Sequence, residues 1–156
     1  MVTQITFKEL LGKAIQREIE SQRLYTSLNQ KVNEPAAKDA FQELARQEKG
    51  HQNWLEQYLR GEFKAGILGS DRVIDYKIAE HLDQPAILPD MKLQDTFLLA
   101  ANREKASHDF YISLANIHPT GEIKRLLNEL ASQELTHKQR VEFLYTEVAF
   151  PQTDGG

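Results

Sequence analysis

The chain has 156 residues, the length of one domain, and its 40% hydrophobic and 27% charged residues favour a packed core over wholesale disorder. A net charge of −4 excludes the basic field of a generic nucleic-acid binder, and no apolar run nears the roughly 18–20 residues of a membrane span. The start, MVTQITFKELL, lacks the basic and apolar pattern of a signal peptide, so a cytoplasmic location is expected. With no cysteine there are no disulfides, thiolate zinc sites or cysteine-held iron–sulfur centres, and any metal must be held by Asp, Glu or His.

Thr6 followed by Glu9 is a capping-box pattern, which predicts a helix from Thr6 to about Val32. Asn33-Glu34-Pro35 breaks it. A second helix is predicted from Pro35, in the first-turn place that proline favours, to about Arg60. Gly61, Gly66 and Gly69 then loosen the chain, a short helical pattern covers 71–82, and Pro85 and Pro89 follow. A third helix is expected over about Lys92 to Ile117. His118-Pro119-Thr120-Gly121 reads as a turn, and a fourth helix runs from about Glu122 to Val148. The reading gives a domain over 1–150 and a flexible tail over 151–156.

The four long segments share a seven-residue core spacing. Leu11, Glu18, Tyr25 and Val32 form a row in the first, and Phe97, Glu104 and Tyr111 in the third. The second pairs Phe41, Glu48 and Leu55 with Leu44, His51 and Tyr58. The fourth pairs Leu127, Glu134 and Val141 with Leu130, His137 and Leu144. This is the seam of a four-helix bundle. Two short turns force antiparallel neighbours, while the connection of about thirty residues between the second and third helices lets the chain travel the length of a bundle. The expected fold is all-α, a ferritin-like bundle of two antiparallel hairpins joined by a long crossover.

The hairpins are copies of one another. A shift of 86 residues lays 14–56 on 100–142 without a gap, and 15 of the 43 positions are identical. The identities include Glu18 with Glu104, Ser21 with Ser107, Tyr25 with Tyr111, Gln47-Glu48 with Gln133-Glu134, and His51 with His137. A helical hairpin cannot bury its apolar face alone, whereas two facing copies can.

The repeat delivers four glutamates and two histidines. Glu48 and His51, like Glu134 and His137, form Glu-x-x-His, which puts carboxylate and imidazole on one helix face a turn apart. Glu18 and Glu104 each stand 30 residues before their Glu-x-x-His. The set matches the ligands of di-iron and di-manganese carboxylate bundles, one Glu from two helices and Glu-x-x-His from the other two. All six lie on core rows, where four carboxylates would repel one another and each would resist desolvation by several kcal/mol. Two divalent cations balance them. Carboxylate with imidazole suits iron or manganese; zinc also fits but has no redox chemistry.

A lone glutamate on a helix is ordinarily a solvated surface charge, and a single Glu-x-x-His is weak as a signal. Two motifs, two matching upstream glutamates and equal intervals, all on core rows, outweigh that reading. Tyr25 and Tyr111, seven residues after Glu18 and Glu104, either hydrogen-bond a ligand carboxylate and relay a proton or electron, or are buried aromatics with satisfied hydroxyls. Trp54 reads as packing. His108 reads as a surface residue or a hydrogen-bonding neighbour of the site rather than a ligand, and His81 and His118 fall outside the pattern.

At Glu18-Ile-Glu-Ser-Gln-Arg-Leu-Tyr25, Leu44-Ala-Arg-Gln-Glu-Lys-Gly-His51, Glu104-Lys-Ala-Ser-His-Asp-Phe-Tyr111 and Leu130-Ala-Ser-Gln-Glu-Leu-Thr-His137, the chain resembles the rubrerythrin-like branch of the ferritin-like superfamily. The resemblance covers about Phe7 to Tyr145. It implies a non-haem di-iron centre, two iron ions per chain, held by Glu18, Glu48, His51, Glu104, Glu134 and His137, with Glu48 and Glu134 bridging. It implies an oxidoreductase that reacts Fe(II) with oxygen or hydrogen peroxide. Two departures stand out. Ala101 occupies the place where rubrerythrins proper carry an extra glutamate, so the ligand count is closer to a ferroxidase centre. The chain also lacks the cysteines of a rubredoxin domain, so an external electron donor is expected. The alternatives are a ferroxidase that stores or delivers iron, and a structural bundle holding a redox-silent metal. A homodimer is expected, since twofold dimers are the commonest assemblies.

Overall fold

A computed structural model of the chain describes residues 7–60, 87–117 and 121–150. Their regular structure is helical throughout: α1 (Phe7–Lys31), α2 (Pro35–Leu59), α3 (Leu93–Ile117) and α4 (Glu122–Ala149). Each end lies within one residue of the boundary read from the sequence. Thr6, the short pattern over 71–82, the crossover histidine His81, the turn histidine His118 and the tail over 151–156 lie outside the described residues.

The chain divides into two compact units, residues 1–64 and 65–156. In the first, the two residues Val32 and Asn33 and the capping Glu34 link α1 to α2. Glu34 is extended (φ −69°, ψ 129°), and its carbonyl accepts the Lys38 amide at 3.0 Å to open α2, with Pro35 at the first helical position. That ring has φ preset for a helix and no N–H to leave unsatisfied. Side chains lock the reversal. Asn29 Nδ2 donates to the Lys38 carbonyl at 2.7 Å, and Lys38 Nζ donates back to the Asn29 carbonyl at 2.9 Å. Further along, Gln22 Nε2 donates to Gln52 Oε1 at 2.8 Å. As the α1 number falls the α2 number rises, which is the signature of antiparallel helices.

α1 buries Leu11, Ala14, Glu18, Ser21, Tyr25 and Leu28, with Val32 buried just past its end, while α2 buries Ala37, Phe41, Leu44, Glu48, His51 and Leu55. Steps of three and four keep each set on one stripe. Phe41, Leu44 and Leu55 are fully buried, each contributing about 1.5–3 kcal/mol relative to exposure. Tyr25 and Phe41 stack, with centroids 6.3 Å apart and planes 13° apart.

The second unit repeats the plan with different joints. α3 opens where the Lys92 carbonyl accepts the Asp95 and Thr96 amides at 3.0 and 3.2 Å. It buries Phe97, Ala100, Glu104, Ser107 and Tyr111, and α4 buries Leu127, Leu130, Glu134, His137 and Val141. Gly121 caps α4 at φ 112°, ψ −171°, a conformation open in practice only to glycine, and its carbonyl accepts the Arg125 amide at 3.2 Å. His108 Nδ1 lies 2.9 Å from the Ala131 carbonyl and ties α3 to α4. The architecture is an all-α four-helix bundle of two antiparallel hairpins joined by a long crossover, as expected.

Candidate metal centre

Each hairpin assembles one glutamate from its first helix and the Glu-x-x-His pair of its second. In the first unit, His51 Nδ1 lies 3.7 Å from Glu18 Oε2 and 3.5 Å from Glu48 Oε2. In the second, His137 Nδ1 lies 3.5 Å from Glu104 Oε2 and 3.6 Å from Glu134 Oε2. Within each triad, one ligand atom per residue falls within 4.8 Å of the others. The six side chains are only 1–5% exposed. Helix pitch explains the grouping. Glu48 and His51 share a face because they are three apart, and the antiparallel partner delivers Glu18 at the same level.

These four separations discriminate between two arrangements. An N–H···O hydrogen bond spans about 2.7–3.2 Å, so the triads are too open to be His–Glu hydrogen bonds. Two donors each ~2.1 Å from a shared ion, at a near-tetrahedral angle, stand ~3.4 Å apart. The triads have that spacing. Their donors, carboxylate oxygen and imidazole nitrogen, suit iron, manganese and zinc. Two carboxylates per triad match one divalent charge, and buried carboxylates without such a counter-charge would cost several kcal/mol each. The residues present therefore fit a metal, and the buried Glu/His clusters suit a non-haem di-iron redox centre.

Tyr25 and Tyr111 are both fully buried on the rows of Glu18 and Glu104. Phe110 meets Tyr111 edge-on, at 5.2 Å and 72°, where Tyr25 has its stacked Phe41. Trp54 is buried, in keeping with packing, and His108 spends its Nδ1 on the Ala131 carbonyl rather than on a triad. Ala101 is fully buried, so a methyl group fills the place of the extra carboxylate.

Two arrangements went unread in the sequence. Lys138 and Glu142 are buried and hydrogen-bonded, Nζ to Oε1, at 3.1 Å. In the other hairpin Gln52 Nε2 donates to Glu56 Oε1 at 3.0 Å. The signal was there: Glu134, Lys138 and Glu142 are spaced by four, as are Glu48, Gln52 and Glu56.

Among curated proteins none matches the chain. Among solved structures it is similar to a hypothetical protein from Pyrococcus furiosus, with a TM-score of 0.68 and 25% identity over 96% of this chain and 94% of that one. The family model described as Rubrerythrin matches residues 9–145, a span that includes both triads and all four described helices but for their outermost residues, and the chain belongs to the rubrerythrin family.

Proposed function

We propose that the two triads serve one di-iron centre, with Glu18, Glu48, His51, Glu104, Glu134 and His137 as ligands and Glu48 and Glu134 as the bridges. Family membership and the metal-binding clusters support a rubrerythrin-like oxidoreductase. The observation that carries the reading is the 3.5–3.7 Å spacing of imidazole nitrogen to carboxylate oxygen in both triads, at buried positions where carboxylates need cations. Iron so held supplies one-electron chemistry toward oxygen or hydrogen peroxide. The chain's own residues do the rest. The glutamates neutralise the ions, the histidines add neutral donors, and Phe41, Leu44, Leu127 and Leu130 keep water from the surroundings. Tyr25 and Tyr111, fully buried on the rows of Glu18 and Glu104, would donate their hydroxyl hydrogens to ligand carboxylates. An external donor returns the electrons, since the chain has no cysteine to hold a second iron centre. The same reading takes 1–150 as one bundle domain with a tail over 151–156, acting as a cytoplasmic homodimer. Among the described residues no helix is long and apolar enough to cross a membrane.

A second reading, ferroxidation with iron leaving as product, draws on Ala101, which leaves six ligands rather than seven. One experiment separates the readings. The metal-free protein is loaded with Fe(II) without oxygen, then mixed with oxygen and with peroxide separately while absorbance is followed. Fast reaction with peroxide and repeated turnover with a reductant is the expected result. Preference for oxygen with uptake far beyond two irons per chain selects ferroxidation. An unchanged spectrum with both oxidants overturns both readings and leaves a redox-silent structural metal.

A further inference from the structure

A cavity of about 550 Å³ lies in the groove between α1 and α2 of the first hairpin. Its α1 wall carries Arg23, Thr26, Ser27 and Gln30, spaced by three and four on one helix face, and its α2 wall carries Lys49. Gln22 and Gln52 also line it and are held in place. Gln22 Nε2 donates to Gln52 Oε1 at 2.8 Å and to the Glu18 carbonyl at 3.2 Å, and Gln52 Nε2 donates to Glu56 Oε1 at 3.0 Å. Three residues forward from Gln22 and three back from Gln52 on the antiparallel partner bring Lys49 level with the turn between Arg23 and Thr26.

The donors of this groove are unspent. Arg23, Thr26, Gln30 and Lys49 are exposed, and neither they nor Ser27 have a hydrogen-bond or ion-pair partner among the described residues. No carboxylate lines the cavity, so its wall carries two positive charges on a chain whose net charge is −4. The second hairpin shows that the repeat does not require this. There Asp109 stands in the place of Arg23 and Leu135 in that of Lys49, and Asp109 is paired with Lys105 at 2.9 Å. The cations belong to one copy alone, unlike the triads.

Two cations balance one phosphate dianion, and a guanidinium presents a fork that matches phosphate oxygens. Hydroxyl groups add neutral donors. The volume falls within the roughly 300–1,000 Å³ of small-molecule sites, which leaves room for an organic body beside the phosphate, with Ile19 as an apolar contact. We propose that this groove binds a small phosphate-bearing molecule. Arg23 and Lys49 neutralise the phosphate, Thr26 and Ser27 donate to its oxygens, and Gln30, two turns from Arg23, meets the body of the molecule. None of these residues belongs to a triad, so the proposal goes beyond the dimetal reading and stands apart from it.

The test titrates the full chain, metal-free and again loaded with diamagnetic Zn(II), with adenosine 5′-monophosphate, inorganic phosphate and adenosine. Backbone amide signals are followed by NMR and affinities by calorimetry. The expected result is that the monophosphate moves the signals of Arg23, Thr26, Ser27, Gln30 and Lys49 at one molecule per chain, leaves those of Asp109, Ile112 and Ser113 unmoved, and binds more weakly as salt rises. Adenosine should move none of them. R23D/K49L installs the residues of the second hairpin and should weaken binding at least tenfold. Inorganic phosphate binding as tightly as the monophosphate would uphold the site and make free phosphate its ligand. The proposal is overturned if the groove signals stay still, if adenosine moves them as the monophosphate does, or if only His51 and His137 respond. Equal binding by R23D/K49L and the parent overturns it too, and the single R23Q and K49Q variants make the same comparison if circular dichroism shows the double variant unfolded.

Discussion

The two hairpins agree at the Glu/His triads and disagree at the positions that hold helix to helix. Glu18, Ser21, Tyr25, Glu48 and His51 recur as Glu104, Ser107, Tyr111, Glu134 and His137. Ties between helices differ: side-chain amides and a reciprocal Asn29–Lys38 pair in the first hairpin, a histidine on a carbonyl in the second. The aromatic packing differs too, since Phe41, stacked on Tyr25, is replaced by Leu127. Yet the imidazole-to-carboxylate distances differ by no more than 0.2 Å across the two triads. A triad needs only helix pitch and a set interhelical distance, and more than one set of joints provides them.

That comparison can be broken most severely at the carboxylates common to both halves. The Glu48→Ala, Glu134→Ala double variant should bind neither ion, as metal-to-protein ratios after dialysis would show. Two ions retained as in the parent would mean that the triads do not hold metal. Next in size are the packing residues that differ. Phe41→Ala should cost about 3–5 kcal/mol and Leu127→Ala about 2–5 kcal/mol in urea unfolding of the metal-free chain. The stacking of Phe41 on Tyr25 should put its cost about 0.5–1.5 kcal/mol above the area effect alone. Equal losses would show that the aromatic pair adds nothing to the first hairpin. A smaller effect is expected at the joint of the second. His108→Ala should cost about 0.5–1.5 kcal/mol and leave Zn(II) affinity unchanged, because its ring serves the Ala131 carbonyl and not the triad. Smallest is Lys105→Ala, which removes an exposed 2.9 Å pair with Asp109 and should shift stability by about 0.3–0.5 kcal/mol, an amount that vanishes at high salt.

Helix extents were legible because Pro35, Gly121 and the heptad rows act locally, and each is a strong signal over 25 residues or more. The grouping of Glu18 with Glu48 and His51 was legible for a different reason. The 30-residue interval is the same in both copies, so two hairpins report one geometry. The Lys138–Glu142 pair was not read, although both residues were in plain view. A lysine four residues before a glutamate on a helix is ordinarily a solvated pair, and only the third dimension shows both at most 1% exposed. His108 was half legible. Its position beside Glu104 suggested a place near the site, but its choice of a backbone carbonyl on α4 depends on how closely the helices approach.

The two chain reversals carry a consequence in time. Pro35 enters synthesis with its φ already confined, whereas Gly121, at the equivalent position of the repeat, explores both signs of φ and must be caught at 112°. The offset of 86 residues corresponds to roughly 4–17 s of elongation at about 5–20 residues per second. The hairpin that leaves the ribosome first thus has its second helix opened by a proline, while the glycine-capped helix start comes last, when a finished copy of the same hairpin already exists.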